Sequence, residues 1–487
     1  MSKFNMTKKP AQPNTRTYEG AQSWSKRVDQ EWFNNLMSNM VEDGFYEDST
    51  TKLNRYIDLT KQMLELYGSK FVARAAYFAR NDCGMRSISQ VTAALLNNSK
   101  FDGKRDFYAR YMHRPDDVSE IFSFLESQGE KRSHALVRGA GDYLSSLNAY
   151  SLDKYKMSNK DWSMYDLINI THAHSKEIDD FKNGILQKAN TWEQRVSGTE
   201  SQEHKHEIWR EMVEENRLGY LALIRNLNNI LDDDAIAPEW IDKYLVPQLT
   251  DAHKIRKSLV FPYQIYCAYK NLRARPYNLV IALDRAFRES IGNVPGLNGN
   301  SLIILDVSDS MKQHMSGRSN MSILEVVAVY AAAIYLANPD SDFVKFATDY
   351  KMCNYNRLDN VFDIISKMQA NDNVGYQTNI GKVWKNLTKH YNRIFLFSDM
   401  QVMNSSYDYY FENNNAYNLL VDYFARCGDC PVYSFDLANY SNQLDNPDRN
   451  RLKFITGLND NVFKFIELPE RGENIVDYIN EKYSYIV

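Results

Sequence analysis

Two rhythms of apolar and polar residues divide the chain. From about residue 24 to 290, apolar positions recur at the three- and four-residue spacing of a helix face. Ile57, Met63, Leu64, Leu66 and Tyr67 keep that spacing, as do Phe71, Ala75, Ala76 and Phe78. Glycine and proline mark the breaks: Gly44, Gly68, Gly84, Pro115, Gly129, Pro238 and Pro247. Strand-like alternation is rare, and no repeat of fixed period is visible. Many amphipathic helices joined by short polar breaks predict an α-solenoid of stacked helical pairs. Residues 1–20, with Lys8, Lys9, Pro10 and Pro13 and little apolar content, read as a flexible arm.

Past residue 300 the pattern alternates. Strands are predicted at Leu302–Leu305, Phe343–Ala347, Ile394–Phe397, Val432–Phe435 and Val462–Ile466. Helices are predicted at Leu324–Ala337, Asp359–Met368, Ile380–Leu387, Ala416–Arg426 and Ile475–Ile479. This alternation implies a mostly parallel, doubly wound sheet covered on both faces. The expected fold class is α + α/β: an arm at 1–20, a helical domain at 21–295 and an α/β domain at 296–487.

Ligands of such sheets bind at the carboxyl ends of strands. There the chain reads Asp306-Val307-Ser308-Asp309-Ser310 after an apolar run, with Thr378 in a loop and Asp399 at the end of Arg393–Ser398. Two carboxylates and three hydroxyls form an all-oxygen set, which suits Mg²⁺ or another hard divalent cation that keeps water or accepts an outside ligand. The plainer reading is a set of polar turns that hold loops without metal. Thr348, after another strand, is an alternative donor.

Composition narrows the class. The chain has 487 residues, 44% hydrophobic and 25% charged, with 33 Tyr and 23 Phe, an ordinary balance for a soluble protein of more than one domain. Five scattered cysteines argue against a disulfide framework and for a reducing compartment. No signal-peptide core opens the sequence, and the longest apolar run, Val326–Ala337, is too short to span a bilayer. A cytoplasmic protein without membrane partners is the expectation. Cys427-Gly428-Asp429-Cys430 is half a zinc site without a second half, so it reads as a helix-ending turn. No phosphate loop, His-Glu-x-x-His or Gly-x-Ser-x-Gly elbow is present. That favours binding over catalysis.

The net charge of −4 conceals an asymmetry: residues 1–300 carry 41 basic and 39 acidic side chains, residues 301–487 carry 17 and 23. Lys254, Arg256, Lys257, Lys270, Arg273 and Arg275 lie in a stretch without one acid, interleaved with Phe261, Tyr263, Tyr266 and Tyr269. Lys131, Arg132 and Arg138 form a second basic cluster, and Lys154, Lys156 and Lys160 a third. Basic side chains beside aromatics suit phosphate neutralisation and stacking of unpaired bases, although solvated helix faces have the same composition.

The order strand-Asp-x-Ser-x-Ser, loop-Thr, strand-Asp resembles the metal-ion-dependent adhesion site of von Willebrand factor A domains. It departs at Gln377, where those domains often place Gly. Four earlier stretches resemble the TROVE module of the Ro autoantigen family. They are Phe71–Arg80 with Gly84–Ser89; Lys154–Lys156 with Trp162-Ser163 and Asp166–His172; Leu221–Leu227; and Ala282-Leu283-Asp284-Arg285-Ala286-Phe287. The ordered set covers most of the chain. The resemblance implies a closed ring of HEAT-like helical repeats sealed by the A domain. It implies binding of small structured non-coding RNA (Y RNA) outside, and entry of single-stranded 3′ ends of misfolded RNA into the hole. An exoribonuclease tethered through RNA is a partner in the same picture. It brings Lys154, Lys156 and His172 forward as RNA contacts, beside a plainer reading of His172 as a satisfied histidine near a helix end. The competing function is a protein-adhesion scaffold, in which the metal grips an acidic residue of a partner.

Overall fold

Side-chain caps mark the starts of eight helices among the described residues, from Ser133, Asn148, Ser163, Ser175, Ser201, Asp251, Ser322 and Asn360. The computed structural model describes residues 14–16, 20, 22–38, 49–155, 157, 161–186, 195–196, 198, 201–232, 236–293, 297–314, 321–399, 416–436, 442–443, 452–456 and 475–487. By contact the chain divides into a helical unit (Asn35–Val41, Thr50–Leu249 and Glu467–Val487) and a sheet unit (Met1–Asn34, Glu42–Ser49 and Thr250–Ile466).

The helical unit opens with α1 (Ser49–Tyr77), interrupted at Gly68, whose φ of 79° is a conformation glycine adopts readily. The chain then winds through a π-helical turn, Phe78–Asp82. There follow α2 (Ser87–Leu95), α3 (Lys104–Tyr111), α4 (Pro115–Ser127), α5 (His134–Ser145), α6 (Ala149–Lys154), α7 (Met164–Thr171), α8 (Lys176–Lys182), α9 (Gln202–Glu214), α10 (Tyr220–Arg225) and α11 (Leu227–Leu231). Four of these helices pack on the one two places along, α2 on α4, α3 on α5, α5 on α7 and α6 on α8, and α4 also meets α7.

Buried Asp117 in the first turn of α4 ties several segments together. It accepts from Arg80 Nε and Nη2 (2.7 and 2.8 Å), Gln90 Nε2 (2.7 Å) and the backbone N–H groups of His113 and Arg114 (2.9 Å each). A buried charge is tolerable only when paired and hydrogen-bonded in this way.

The sheet unit carries α12 (Ala252–Lys257), α13 (Pro262–Asn271) and α14 (Tyr277–Ser290) before its first long strand. The strands are β1 (Ser301–Asp306), β2 (Ser341–Phe346), β3 (Tyr350–Cys353), β4 (Arg393–Ser398), β5 (Val432–Asp436) and β6 (Leu452–Thr456), in spatial order β3-β2-β1-β4-β5-β6. All neighbours are parallel except β2 and β3. Between the strands lie α15 (Ile323–Ala337), α16 (Val361–Gln369), α17 (Gly381–Asn386) and α18 (Ala416–Cys427). Central β1 is buried throughout, as a doubly covered strand must be. Leu302 and Ile304 join Val383, Trp384, Leu420 and Tyr423 in one core. On β2, Phe343 meets Tyr335 of α15. The longest apolar run therefore forms α15, a helix buried nearly all round rather than a span. No helix among the described residues is long and apolar enough to cross a membrane.

A last helix, α19 (Ile475–Lys482), belongs to the helical unit. The chain is thus mostly helical, with a six-stranded mixed sheet and, among the described residues, a small antiparallel sheet of Thr15–Arg16, Gln22–Ser25 and Asn442–Gln443.

Several expectations shift. Thr15–Arg16, read as part of a flexible arm, pairs antiparallel with Gln22–Ser25. The edge strand β3 was not anticipated, being short, exposed and partly polar. β6 was not anticipated either, and the strand expected at Val462–Ile466 lies outside the described residues. Helices α12–α14, grouped with the helical domain by periodicity, belong by contact to the sheet unit. There Asp284, within the Ala-Leu-Asp-x-Ala-Phe stretch, accepts from the N–H of Val361 at the start of α16 (2.7 Å).

Candidate metal centre and nucleic-acid interface

The five oxygen donors meet at the carboxyl ends of β1 and β4. Asp306 ends β1, and its Oδ1 accepts from the N–H of Ser308 (2.9 Å). Ser308 Oγ lies 3.2 Å from Ser310 Oγ and accepts from Thr378 Oγ1 (3.1 Å). Asp399, just past β4, is buried together with Asp306, Ser308 and Thr378. Burial first and the Asp399 charge second push the Asp306 carboxyl up to about 7. Two crowded, desolvated carboxylates beside a chain of hydroxyls are a donor set that a hard divalent cation fits. Among the described residues no three His, Cys, Asp or Glu side chains group as metal ligands. The candidate centre rests on its hydroxyls as much as on its acids.

One neighbour escaped the sequence reading, and a second was read in a different part. Ser398 donates to Asp306 Oδ2 (2.7 Å), so the residue before one carboxylate orients the other. Its position next to Asp399 was the available signal. Thr348 takes another part than the donor weighed above: its Oγ1 accepts the N–H groups of Tyr376 and Gln377 (3.1 and 3.0 Å).

The basic candidates are spread over both units. In the helical unit, Lys131, Arg138, Lys154 and His172 are exposed. The Arg132 guanidinium lies 4.8 Å from the ring centroid of Trp162 and 5.1 Å from that of Phe122, a cation–π arrangement that holds it in place. Trp162 precedes α7, whose start is set by a capping box between Ser163 and Asp166. At the other end of α7, His172 is the C-cap in a left-handed conformation (φ 54°). Exposed there, it is not a core histidine. Trp162, under the Arg132 guanidinium, and His172 thus lie at opposite ends of one eight-residue helix, which is about 12 Å long. Next to His172, the N–H of His174 donates to Ser145 Oγ (3.1 Å) at the end of α5. Lys154 ends α6, its ammonium 5.5 Å from the Tyr150 ring centroid. Lys156 lies outside the described residues.

In the sheet unit, Arg256 and Lys257 are exposed on α12, and Lys254 is half-buried. Desolvation lowers the Lys254 pKa. The aromatics beside this segment are engaged in packing. Tyr269 stacks on Phe362 of α16 at 3.7 Å, Tyr263 on Tyr330 of α15 at 6.0 Å, and Tyr266 donates to Glu325 (2.7 Å). Glu325 also pairs with Lys270 (2.7 Å), so an acid from α15 supplies what the segment itself lacks.

Residues 181–284 match the family model described as the TROVE domain. The fold is similar to the crystal structure of the Deinococcus radiodurans RO (RSR) protein, with a TM-score of 0.61 and 16% identity over 86% of this chain and 94% of that one. At that identity the likeness is one of fold.

Proposed function

We propose that this chain, whose TROVE match and fold bear out its resemblance to the Ro family, is an RNA-binding protein. In this reading the helical unit takes a small structured, Y RNA-like non-coding RNA and single-stranded ends of misfolded RNA, in RNA quality control. The observation that carries it is the exposure of Lys131 before α5, Arg138 on α5, Lys154 at the end of α6 and His172 at the C-cap of α7, with Arg132 braced over two rings. Cations attract phosphates, a neutral or protonated imidazole donates to them, and structured RNA is read mainly by shape. The finer architecture belongs to the same proposal: a closed ring of HEAT-like repeats and a von Willebrand factor A domain. Asp306, Ser308, Ser310, Thr378 and Asp399 would hold Mg²⁺, some through water. A cation there supplies charge neutralisation and a coordination position for an oxygen from outside.

The test is a mobility shift of the full chain with a small structured RNA across a salt series. Replacing Lys131, Arg138, Lys154 and His172 by Ala should weaken binding and flatten its salt dependence. Each lost phosphate contact should lower the logarithmic slope by roughly 0.7 to 0.9. An unchanged slope assigns these residues to a solvated face.

The second reading, a protein-adhesion scaffold, is favoured by the rim of the metal site. Tyr376, two residues before Thr378, is 65% exposed, and the Lys312 ammonium lies 5.6 Å from its ring centroid. A chain that purifies without RNA and shifts none would support that reading instead.

A further inference from the structure

We infer that Thr348 is a positioning residue of the metal centre, a latch that sets the loop delivering Thr378. The inference rests on the metal reading above. Thr348 follows β2, away from the Asp-x-Ser-x-Ser turn in sequence, and contributes no donor to the set of five. Its hydroxyl oxygen has two lone pairs, and the two consecutive N–H groups of Tyr376 and Gln377 fill them. Thr378 is the next residue, and its hydroxyl reaches Ser308 (3.1 Å). One side chain thus fixes the backbone directly ahead of a ligand.

The surrounding bonds keep the latch in register with the turn after β1 and with the end of β2. Asp309 N–H donates to the Tyr376 carbonyl (3.1 Å), joining the Asp-x-Ser-x-Ser turn to the same loop. Asn379 N–H donates to the Ala347 carbonyl (2.9 Å), and Asp349 N–H to that of Val374 (2.7 Å). Asn371 Nδ2 donates to the Gly375 carbonyl (2.6 Å). Gly375 is matched to the latch by absence: its φ is 88°, and an added Cβ would lie 2.5 Å from Thr348 Oγ1 and 2.6 Å from Thr348 Cβ. The loop can approach Thr348 this closely only because residue 375 has no side chain. Gln377, the departure from the A-domain pattern, contributes its backbone N–H here.

The loop is exposed, so Thr348→Val leaves two N–H groups that water can solvate. The variant should stay folded while Thr378 loses its fixed position. Outer-shell substitutions of this kind cost about 10- to 100-fold in metal affinity. The experiment uses the full chain stripped with chelator and titrated with Mg²⁺ by calorimetry and with Mn²⁺ by electron paramagnetic resonance. Amide exchange at Tyr376 and Gln377 is followed in parallel. Expected are a wild type that binds, Asp306→Ala that does not, and Thr348→Val weakened by about 10- to 100-fold with faster exchange at both amides. Thr348→Ser, which keeps the oxygen, should restore affinity and protection together. A Thr348→Val that binds like the wild type overturns the latch and leaves the metal reading standing. So does a Thr348→Ser that fails to rescue, because the methyl group would then be what matters. A wild type that takes up neither cation overturns the metal reading itself, and the latch with it.

Discussion

At the scale of single residues, Lys345 shows how a charged side chain can sit inside a strand. It is fully buried on β2. Its ammonium has three donors and three acceptors: Asp372 Oδ2 (2.6 Å) and the carbonyls of Lys367 (2.9 Å) and Ala370 (2.8 Å). The Lys345 contact holds the Asp372 carboxyl below its usual range. A depressed carboxylate contributes stability that is present above its unfolded pKa and lost as pH falls through the folded value. Asp372→Asn should therefore destabilise by about 1–3 kcal/mol at pH 7. The melting-temperature gap to the wild type should hold down to about pH 4 and narrow only below it, as pH falls through the depressed folded value. A gap that does not narrow on acidification would mean shape, not charge, is what Asp372 supplies. At this scale the five oxygen donors that meet at the ends of β1 and β4 could be picked out because each ends a strand or sits in a loop between strands. Ser398 and the part played by Thr348 were not, since hydroxyls are common and only the fold reveals what they face.

At the scale of elements, α5 carries a contradiction that packing resolves. Gly139 and Gly141 lie inside a helix, where glycine costs about 1 kcal/mol against alanine. A Cβ on Gly139 would lie 2.6 Å from the Arg105 carbonyl of α3, and one on Gly141 2.7 Å from the Thr171 carbonyl at the end of α7. Both contacts are with backbone, which cannot rotate aside. Alanine at either position, stabilising on an exposed helix, should here destabilise by about 1–3 kcal/mol. Chemical denaturation of Gly139→Ala and Gly141→Ala measures this, and a gain in stability for either would contradict the packing. Gly141→Ala should in addition shift the His172 imidazole resonances, because Thr171 precedes that residue. The start of α7 is set locally, by Ser163 with Asp166, because capping acts within four residues. The edge strand β3 carries no such signal. Its four residues become a strand because β2 offers an open edge.

At the scale of the whole molecule, each unit is assembled from separated stretches of chain. The α19 segment, read as the last helix of an α/β domain, packs within the helical unit. Asp82 accepts from Lys482 Nζ (3.1 Å) and from the Tyr483 hydroxyl. Arg74 donates to Asn480 Oδ1 (3.0 Å) and to the Val487 carbonyl. Tyr77 and Phe78 meet the rings of Tyr478, Tyr483 and Tyr485. Tyr483 is 1% exposed. Tyr483→Ala should cost about 3–5 kcal/mol, and amide exchange should quicken in α1 and the π-helical turn after it. Exchange unchanged there would show that the segment docks without supporting them.

What the sequence by itself determined is local: a helical stretch against an alternating one, the approximate ends of most elements between 301 and 436, the order of the clustered oxygen donors and the basic clusters. Periodicity, capping and strand-end position act over a few residues, so they survive without the fold. Tertiary structure decided which unit α12–α14 and α19 join, and that Tyr263, Tyr266 and Tyr269 are spent on α15 and α16. It also decided that Thr348 faces the loop before Thr378. Those outcomes depend on partners from tens to about 400 residues away (Asp82 and Lys482 are 400 apart). Only the cost of leaving apolar rings and polar atoms unmatched in the folded interior selects among the many such pairings a chain of this composition allows.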